Sequence, residues 1–408
     1  MQPPNIKQFI QEPLPHAIKL IAWARTVRWI GWGFGEALIP LFIFTFSKTF
    51  AEAGLLRSTY EITLLLALPI IGAIADRKSA KYLIIIALAL YPLVGISYFM
   101  AGVLGAGIFI VIARGLNGFL WGMENIGVST YYRRIANRTN IGSSFGYIES
   151  WSNFGWIIAA LIGMVLVSFV PIHYLLLAIS PAALIALWIA HKAPKDTLLH
   201  IDGAKKQNSS LVHSYKSAFV EWRTWNGHLW LLGGLVLFSG LIEALMWFFI
   251  PIDAYISGVK PSFVVLLSVI AAVPTLFGYT IGKITDKRNE YTLVVSGLVG
   301  VALVMIGLAL FPQYGFKLIA SFLLGVLLEL FSIIQKSLVT VLGPSESYGK
   351  RGSAFESIAT LGDLAAPLVL GISLDLLGFG NVSWLIAVIA LILGWAYISI
   401  KPKATQPL

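Results

Sequence analysis

Seven carboxylates interrupt long apolar stretches of this chain, and such residues can exchange protons or bind cations when they are held away from bulk water. One charged side chain near the centre of a bilayer costs about 2.5–3.5 kcal/mol on insertion scales. We therefore expect all seven to face a protein interior or a water-filled cavity rather than lipid. The seven residues are Glu36, Glu124, Glu149, Glu243, Glu329, Glu356 and Asp363.

The stretches that carry these residues have the composition of membrane-spanning helices. Of the 408 residues, 58% are hydrophobic and 12% are charged, and the mean hydropathy is +0.83. A soluble domain of this length needs more polar residues on its surface. A bilayer core about 30 Å thick takes roughly 20 helical residues, and the stretches lack the two-residue alternation of barrel strands. The sequence therefore predicts an all-α integral membrane protein.

Twelve apolar segments can be distinguished along the chain, and they divide into two groups of six. The first group covers about residues 27–46, 55–75, 80–101, 107–132, 142–169 and 171–191, and the second about 228–251, 261–283, 290–311, 316–340, 352–377 and 381–400. We expect 12 transmembrane helices in two pseudo-symmetric six-helix bundles. Residues 1–191 would form one bundle with a short N-terminal tail, 192–227 a linker, and 228–408 the other bundle.

The distribution of basic residues indicates the orientation in the membrane. Of the 29 Lys and Arg residues, 24 fall in the N-terminal region, the second, fourth, eighth and tenth loops, the linker and the C-terminus. The opposite side holds only Lys48, Arg57, Lys260 and Lys317. Because cytoplasmic loops carry the excess of Lys and Arg, both termini and the linker are predicted to be cytoplasmic, in a multi-pass protein of the cell (plasma or inner) membrane.

The net charge of +10 indicates contact with anionic lipid rather than with nucleic acid. Basic residues that gather on one side of a bilayer meet anionic headgroups there. No basic segment of this chain is interleaved with stacking aromatic residues in a soluble domain, as a nucleic-acid-binding protein would require. We therefore expect the bilayer, and no nucleic acid, as a partner.

The two halves repeat residues at a constant offset of 207. Several weak matches at one offset predict a duplicated six-helix unit, and parallel repeats of this kind place a substrate site near the membrane midplane between the copies. The matching residues are Gly33, Glu36, Ala37 and Leu38 with Gly240, Glu243, Ala244 and Leu245, then Glu149 and Ser150 with Glu356 and Ser357, and finally Gly118 with Gly325 and Gly155 with Gly362.

A motif follows the second segment and recurs after the eighth. Gly72-x-x-x-Asp76-Arg77 matches Gly282-x-x-x-Asp286-Lys287. A glycine lets a neighbouring helix approach closely, and an aspartate at the membrane edge can meet the positive end of a helix dipole. The adjacent basic residues can pair with carboxylates in one conformation and release them in another. We expect a cytoplasmic gate or latch formed by Gly72, Asp76, Arg77, Glu149, Gly282, Asp286, Lys287 and Glu356.

This motif resembles the signature between helices 2 and 3 of the major facilitator superfamily, and the resemblance extends to the span count, the central linker and the repeat. In that superfamily helices 1, 4, 7 and 10 line a central cavity, which implies that Glu36, Glu124, Glu243 and Glu329 do so here. The sequence Arg114-x-x-Asn117-Gly118 is similar to the superfamily's pattern in helix 4. Together with Glu36, this arginine resembles part of the drug–proton antiporter pattern. Asp363 is a further cavity candidate.

Arg57 and Glu61 lie four residues apart at the predicted outer end of the second helix. We expect them to form a local salt bridge, because side chains at i and i+4 are neighbours on a helix.

These features predict a secondary active transporter of a small solute that works by alternating access and is coupled to protons. Export of amphipathic or cationic compounds is favoured, because four cavity carboxylates face one arginine. A sugar or metabolite symporter or facilitator of the same fold is the alternative, and a non-transporting receptor or a polytopic membrane enzyme are further ones.

A nucleotide-binding loop is absent from the sequence, so a gradient must drive the transport unless it is passive. The chain has no cysteine, and its six His show no metal-ligand spacing. We expect no catalytic residue, no metal and no cofactor, and a monomeric protein.

Overall fold

The computed structural model of the chain describes residues 15–135, 141–196, 227–285, 288–341 and 348–399, and within these ranges the regular structure is helical. In the first half the helices are α1 (His16–Gly33), α2 (Ile39–Phe44), α3 (Phe50–Arg77), α4 (Ala80–Leu104), α5 (Ile108–Ile135), α6 (Ile141–Leu166), α7 (Ile172–Leu177) and α8 (Ile179–His191). In the second half they are α9 (Gly227–Ala244), α10 (Ile250–Ile256), α11 (Pro261–Ala272), α12 (Gly278–Thr285), α13 (Glu290–Leu310), α14 (Tyr314–Val341) and α15 (Tyr348–Ser399).

Within the described ranges, eight helical stretches are long and apolar enough to cross a membrane. The last of them contains Gly378, whose φ of 77° interrupts α15 with a conformation that favours glycine. Helices α3 and α5, with 28 residues each, are also long enough to span a bilayer. The eight stretches are His16–Phe44, Ala80–Leu104, Tyr147–Leu166, Ile172–His191, Leu229–Ile256, Glu290–Leu310, Tyr314–Gln335 and Ile358–Ser399.

Irregular backbone interrupts two repeat-related helices at their carboxylates. A 3₁₀ turn, Glu36–Leu38, separates α1 from α2. In the second half a π-helical turn, Leu245–Phe249, separates α9 from α10 two residues after Glu243. Irregular backbone at membrane depth is stable only where it is buried in protein or lines a cavity, so both breaks point to an interior site.

The first helix begins at His16 rather than near residue 27, which corrects the predicted boundary. Apolar residues before Arg25 pack into the core, and Arg25 and Arg28 are themselves buried, with 6% and 2% exposure. Two arginines that counted toward the cytoplasmic excess are therefore interior residues. Similarly, Lys317 is 1% exposed and pairs with Asp253 at 2.6 Å, so it is not a simple outer-loop charge.

The two halves meet closely where α3 packs against α15. The backbone N–H groups of Phe50 and Ala51 donate to the two carboxylate oxygens of Asp375 at 2.9 and 2.8 Å. A Cβ at Gly54 would overlap the carbonyl of Pro367, so the two backbones approach as only glycine permits. We call this contact the α3–α15 seam, and it consists of Phe50, Ala51, Gly54 and Ser58 with Leu364, Pro367, Gly371 and Asp375.

The beginning of the predicted linker is bound where α3 ends and α4 begins, at the end of α3 that lies away from the seam. The Asp196 carboxylate accepts hydrogen bonds from the Ser79 hydroxyl and from the backbone N–H groups of Ala80 and Lys81. Arg134 pairs with the same carboxylate at 2.7 Å. These bonds cap the start of α4 and fix residues 192–196 against the first half of the chain.

Candidate functional site

A cavity of about 460 Å³ lies between the two halves of the chain. The 3₁₀ turn after α1 and the π-helical turn after α9 both contribute to its wall. Most of its large side chains are aromatic, and polar groups stand between them, as in typical small-molecule sites. The aromatic residues are Trp29, Trp32, Tyr60, Trp121, Trp156, Trp247 and Phe248.

Glu36 lies in the 3₁₀ turn at the wall of this cavity. The indole Nε1 of Trp156 donates to its Oε2 at 2.6 Å. The Trp156 ring in turn meets Trp247 of the second half edge to face, with ring centroids 6.1 Å apart. Glu36 is therefore linked, through its hydrogen bond to Trp156, to an aromatic contact between the two halves. A change in the charge of Glu36 can alter that contact.

Arg28 lines the cavity and forms a buried ion pair with Glu124. Their side chains are 2.7 Å apart, and each is only 3% exposed. The guanidinium also stacks against Trp29 and Tyr91, at 4.9 and 5.0 Å from the ring centroids. Because Glu124 stands behind Arg28, it acts on the cavity through that arginine.

Arg57 and Glu61 form the expected i, i+4 salt bridge, at 2.8 Å. The pair lines the cavity, and Glu61 is only 4% exposed, so it is more than a local surface contact. Arg114 joins the two, because its Nη2 donates to the Arg57 carbonyl at 3.2 Å. The Arg114 guanidinium also lies 4.8 Å from the Tyr60 ring centroid.

Two carboxylates of the second half complete the charged wall. Glu243 is exposed within the cavity. Asp363 of α15 lies beside Gly240, which is one turn before Glu243 on α9. The Oδ1 of Asp363 is 3.0 Å from the position that a Cβ would take on that glycine. Among the described residues of the second half that line the cavity there is neither lysine nor arginine, so the described cationic groups of the lining all stand on the first half.

The structure brings five of the seven predicted cavity residues together at this wall, namely Glu36, Arg114, Asn117, Glu243 and Asp363. Glu124 is behind Arg28, and Glu329 lies against Gly278 of α12 and is not among the described lining residues. Sequence reasoning missed Arg28, Arg57 and Glu61 as lining residues. Arg28 precedes Glu36 by eight residues, a spacing that places both on one helix face and could have identified it.

The predicted latch falls largely outside the part of the chain that the structure describes. Asp286 and Lys287 lie outside the described residues, and so do the side chains of Asp76, Arg77 and Glu356 and the surroundings of Gly282. Gly72 has open space where a Cβ would be. Glu149 is 56% exposed, and Arg25 is its partner at 3.5 Å. Among the described residues, no group of three or more His, Cys, Asp or Glu could hold a metal ion.

Comparison with known proteins finds transporters that are similar to this chain in sequence or in fold. An uncharacterised MFS-type transporter from Methanocaldococcus jannaschii is 20% identical over 380 residues, which cover 92% of this chain and 95% of that protein. The crystal structure of the nucleoside transporter NupG superposes with a TM-score of 0.74 at 17% identity, covering 96% of this chain and 100% of that one. A D-xylose–proton symporter gives 0.73 at 14%, covering 95% and 98%.

At these identities the structural likeness establishes the fold alone. The family model of the Major Facilitator Superfamily matches residues 21–355, which is most of the chain. The match agrees with the resemblance carried by the repeated loop motif and the helix-4 pattern. This multi-pass membrane protein therefore belongs to the Major Facilitator Superfamily of transporters.

Proposed function

We propose that the chain is a proton-coupled secondary transporter of a small solute that works by alternating access. In this proposal twelve helices span the cell membrane as two bundles, residues 1–191 and 228–408, with a cytoplasmic linker at 192–227. The eight apolar stretches, α3, α5, the pair α11–α12 and the break at Gly378 together support twelve crossings.

The observation that carries the proposal is the position of Glu36. This carboxylate lies in a helix break, lines a cavity between the halves, and bonds to Trp156, which contacts Trp247 of the other half. An ionised carboxylate accepts the indole hydrogen bond and attracts a cation, whereas a protonated one has no charge to attract it. A proton and a solute can thus compete for one group, and such competition couples their movements.

An amphipathic solute with a cationic group suits the cavity best. Three arginines face five carboxylates when Glu124 is counted with its partner Arg28, so the anionic excess remains although Arg28 and Arg57 were not foreseen. Aromatic faces attract cations as well as apolar rings. A cavity of about 460 Å³ lies within the roughly 300–1,000 Å³ typical of small-molecule sites.

A neutral ring compound such as a sugar or another metabolite is the second candidate. Asn117 and Asn153 line the cavity beside the tryptophans, and amides with aromatic faces suit hydroxylated rings. Two of the three arginines are neutralised by their own carboxylates. A nucleoside transporter and a D-xylose–proton symporter share the fold, which supports this candidate only by analogy.

A flux assay tests the role of Glu36. The wild-type protein, Glu36→Gln and Glu52→Gln would each be reconstituted in liposomes with an imposed pH gradient. A thermal-shift screen of organic cations and sugars at two pH values would first supply the solute. We expect Glu36→Gln to lose gradient-driven accumulation by about tenfold or more, while exchange without a gradient continues, because removing an essential acid–base group costs at least that factor.

Glu52→Gln is the matched control, since it removes an exposed carboxylate of the same half that is not among the described cavity-lining residues, and a Gln oxygen can still accept the Lys48 N–H. Equal gradient-driven accumulation by Glu36→Gln and the wild-type protein would refute proton coupling through Glu36. Stabilisation by sugars and not by organic cations would favour the second candidate.

A further inference from the structure

We propose that Arg57 is a positioning residue that ties the state of Glu243 to the closure of the α3–α15 seam. This inference rests on the proposed alternating-access function. Arg57 holds Glu61 on its own helix and attracts Glu243 across the cavity, so the seam stays closed while Glu243 is ionised.

The side chain of Arg57 is placed to serve two carboxylates. Its Nη1 donates to Glu61 at 2.8 Å, while a guanidinium has five N–H donors in all. The side chain remains 25% exposed, and it lines the cavity that Glu243 enters from the other half. One carboxylate is thus bonded directly, and part of the Arg57 side chain remains exposed at the cavity that the second carboxylate also lines.

The neighbours of Arg57 keep it in that place. Arg114 donates to its backbone carbonyl at 3.2 Å, and Tyr60 lies under both guanidinium groups, at 5.9 Å from Arg57 and 4.8 Å from Arg114. These contacts involve the first half of the chain alone. A movement of the halves relative to each other would therefore carry Arg57 away from Glu243 and leave it with Glu61.

Glu243 depends on the first half for a countercharge. Arg57 and Glu61 line the same cavity from the first half, so the guanidinium attracts the Glu243 carboxylate and Glu61 repels it as a like charge. The other charged groups on this cavity wall are Glu36, Arg28 and Arg114 from the first half and Asp363 from the second. Because no described residue of the second half adds a basic side chain to this lining, separation from α3 takes Glu243 away from the attraction of Arg57.

The seam lies directly beside Arg57. Ser58, the residue after Arg57, donates to the carbonyl of Leu364 at 3.1 Å, and Leu364 follows Asp363. Opening the seam moves α3 away from α15 and from α9, which also packs against α15. Attraction between Arg57 and ionised Glu243 opposes that motion, and a proton or a cationic solute on Glu243 removes the opposition.

Distance measurements between spin labels test the inference without a substrate. The chain has no cysteine, so Lys48→Cys with Asn381→Cys provides two exposed label sites near the seam, one on each half. The label distance would be recorded at pH 5 and pH 8 for Arg57→Gln, Arg57→Lys, Glu61→Gln, Glu243→Gln and the double variant Arg57→Gln/Glu243→Gln. A thermal unfolding curve for each variant verifies that it is folded.

We expect Glu243→Gln and Arg57→Gln each to raise the ratio of seam-open to seam-closed molecules by about fivefold or more at pH 8, a usual size for conformational coupling. The double variant should open no further than either single one, because both remove the same attraction. Arg57→Lys keeps the charge and should stay closed. Glu61→Gln should favour closure, because Arg57 is then shared with no other carboxylate.

Additive effects of the two single variants, or unchanged distances in folded variants, would overturn the inference. The proposed function fails separately. Absence of solute flux with the expected distance changes would contradict the transport function, whereas normal proton-driven flux with unchanged distances would contradict the role of Arg57 alone.

Discussion

Buried basic side chains in the described part of the chain pair with carboxylates on other helices. Arg28 of α1 pairs with Glu124 of α5, and Lys317 of α14 pairs with Asp253 of α10, each within 2.7 Å. Removing one partner of a buried pair leaves the other charge without compensation, which costs about 3–5 kcal/mol. Residue type alone shows that such charges need partners, but the partners lie as far as 96 positions away and only packing identifies them.

Asp196 gives a pH-dependent prediction at this scale. Burial by itself raises the pKa of its carboxyl, but hydrogen bonds from Ser79, Arg134 and the N–H groups of Ala80 and Lys81 outweigh this and lower the pKa to about 2. A group with a depressed pKa stabilises the fold above its unfolded pKa, near 3.8, and that contribution disappears as the pH falls toward 2. The shift corresponds to about 2 kcal/mol.

We therefore expect Asp196→Asn to lower the free energy of unfolding by about 2 kcal/mol at pH 7. Denaturant unfolding of the purified protein measures this free energy. The difference in free energy of unfolding between the wild-type protein and Asp196→Asn should become smaller as the pH falls from 4 to 2. The exposed Glu52→Gln serves as a control that should be near neutral, because a Gln oxygen can still accept the Lys48 N–H. Equal stability of wild type and Asp196→Asn at pH 7 would contradict the account.

Helix breaks and close helix contacts are the features that matter at the scale of elements. The breaks after Gly33 and after Ala244 place Glu36 and Glu243, a pair related by the repeat, at the same cavity. The repeat was visible in the sequence, and the structure places both residues in the lining of one cavity. The breaks themselves were not predicted, because Glu36-Ala37-Leu38 has an ordinary helical composition and the turn is set by packing around the cavity.

The α3–α15 seam makes a prediction that depends on one glycine. Gly54→Ala would place a methyl group against the Pro367 carbonyl, and overpacking of this kind costs about 1–3 kcal/mol. We expect the seam to open more often, so that a cysteine placed by Ala244→Cys in the cavity reacts about tenfold faster with a membrane-impermeant maleimide from the seam side. The alkylation rate in proteoliposomes measures this.

Gly315→Ala is the matched control, because a methyl group there meets open space. Its rate should equal that of the parent carrying only Ala244→Cys. If Gly54→Ala also leaves the rate unchanged, α3 and α15 do not close this end of the cavity.

At the scale of the whole molecule, hydropathy determined the class of protein. Long apolar segments predicted an all-helical membrane protein, and the helical structure and the family match both confirm it. The division into two bundles and the cytoplasmic termini remain predictions. Arg25 and Arg28 lie within α1 and therefore drop out of the count of cytoplasmic Lys and Arg residues. The remaining basic residues on the predicted cytoplasmic side still outnumber those on the other side, which favours the same orientation.

Labelling in intact cells tests the orientation. Lys48→Cys and Lys192→Cys each replace an exposed lysine, one on the predicted outer side and one at the start of the predicted linker. We expect an impermeant maleimide to label the first in intact cells and the second only after permeabilisation. The reverse pattern would show that the orientation in the membrane is opposite to the predicted one. External labelling of both cysteines would show that the predicted number of membrane crossings between positions 48 and 192 is wrong.

Read along the chain, hydropathy established an all-helical membrane protein, and the motifs indicated its family, which the family match confirms. The duplicated design and the functional role of the few charges within the apolar segments remain predictions. These conclusions follow from local properties, since hydropathy, residue type and repeat spacing are all read along the chain. The packing of the helices was needed to show that Glu124 pairs with Arg28 and that Arg57 and Glu61 line the cavity. It also showed that Asp375 accepts a hydrogen bond from the first backbone N–H of α3. Those contacts join positions up to 325 residues apart, and their strength depends on how closely helices of the two halves pack.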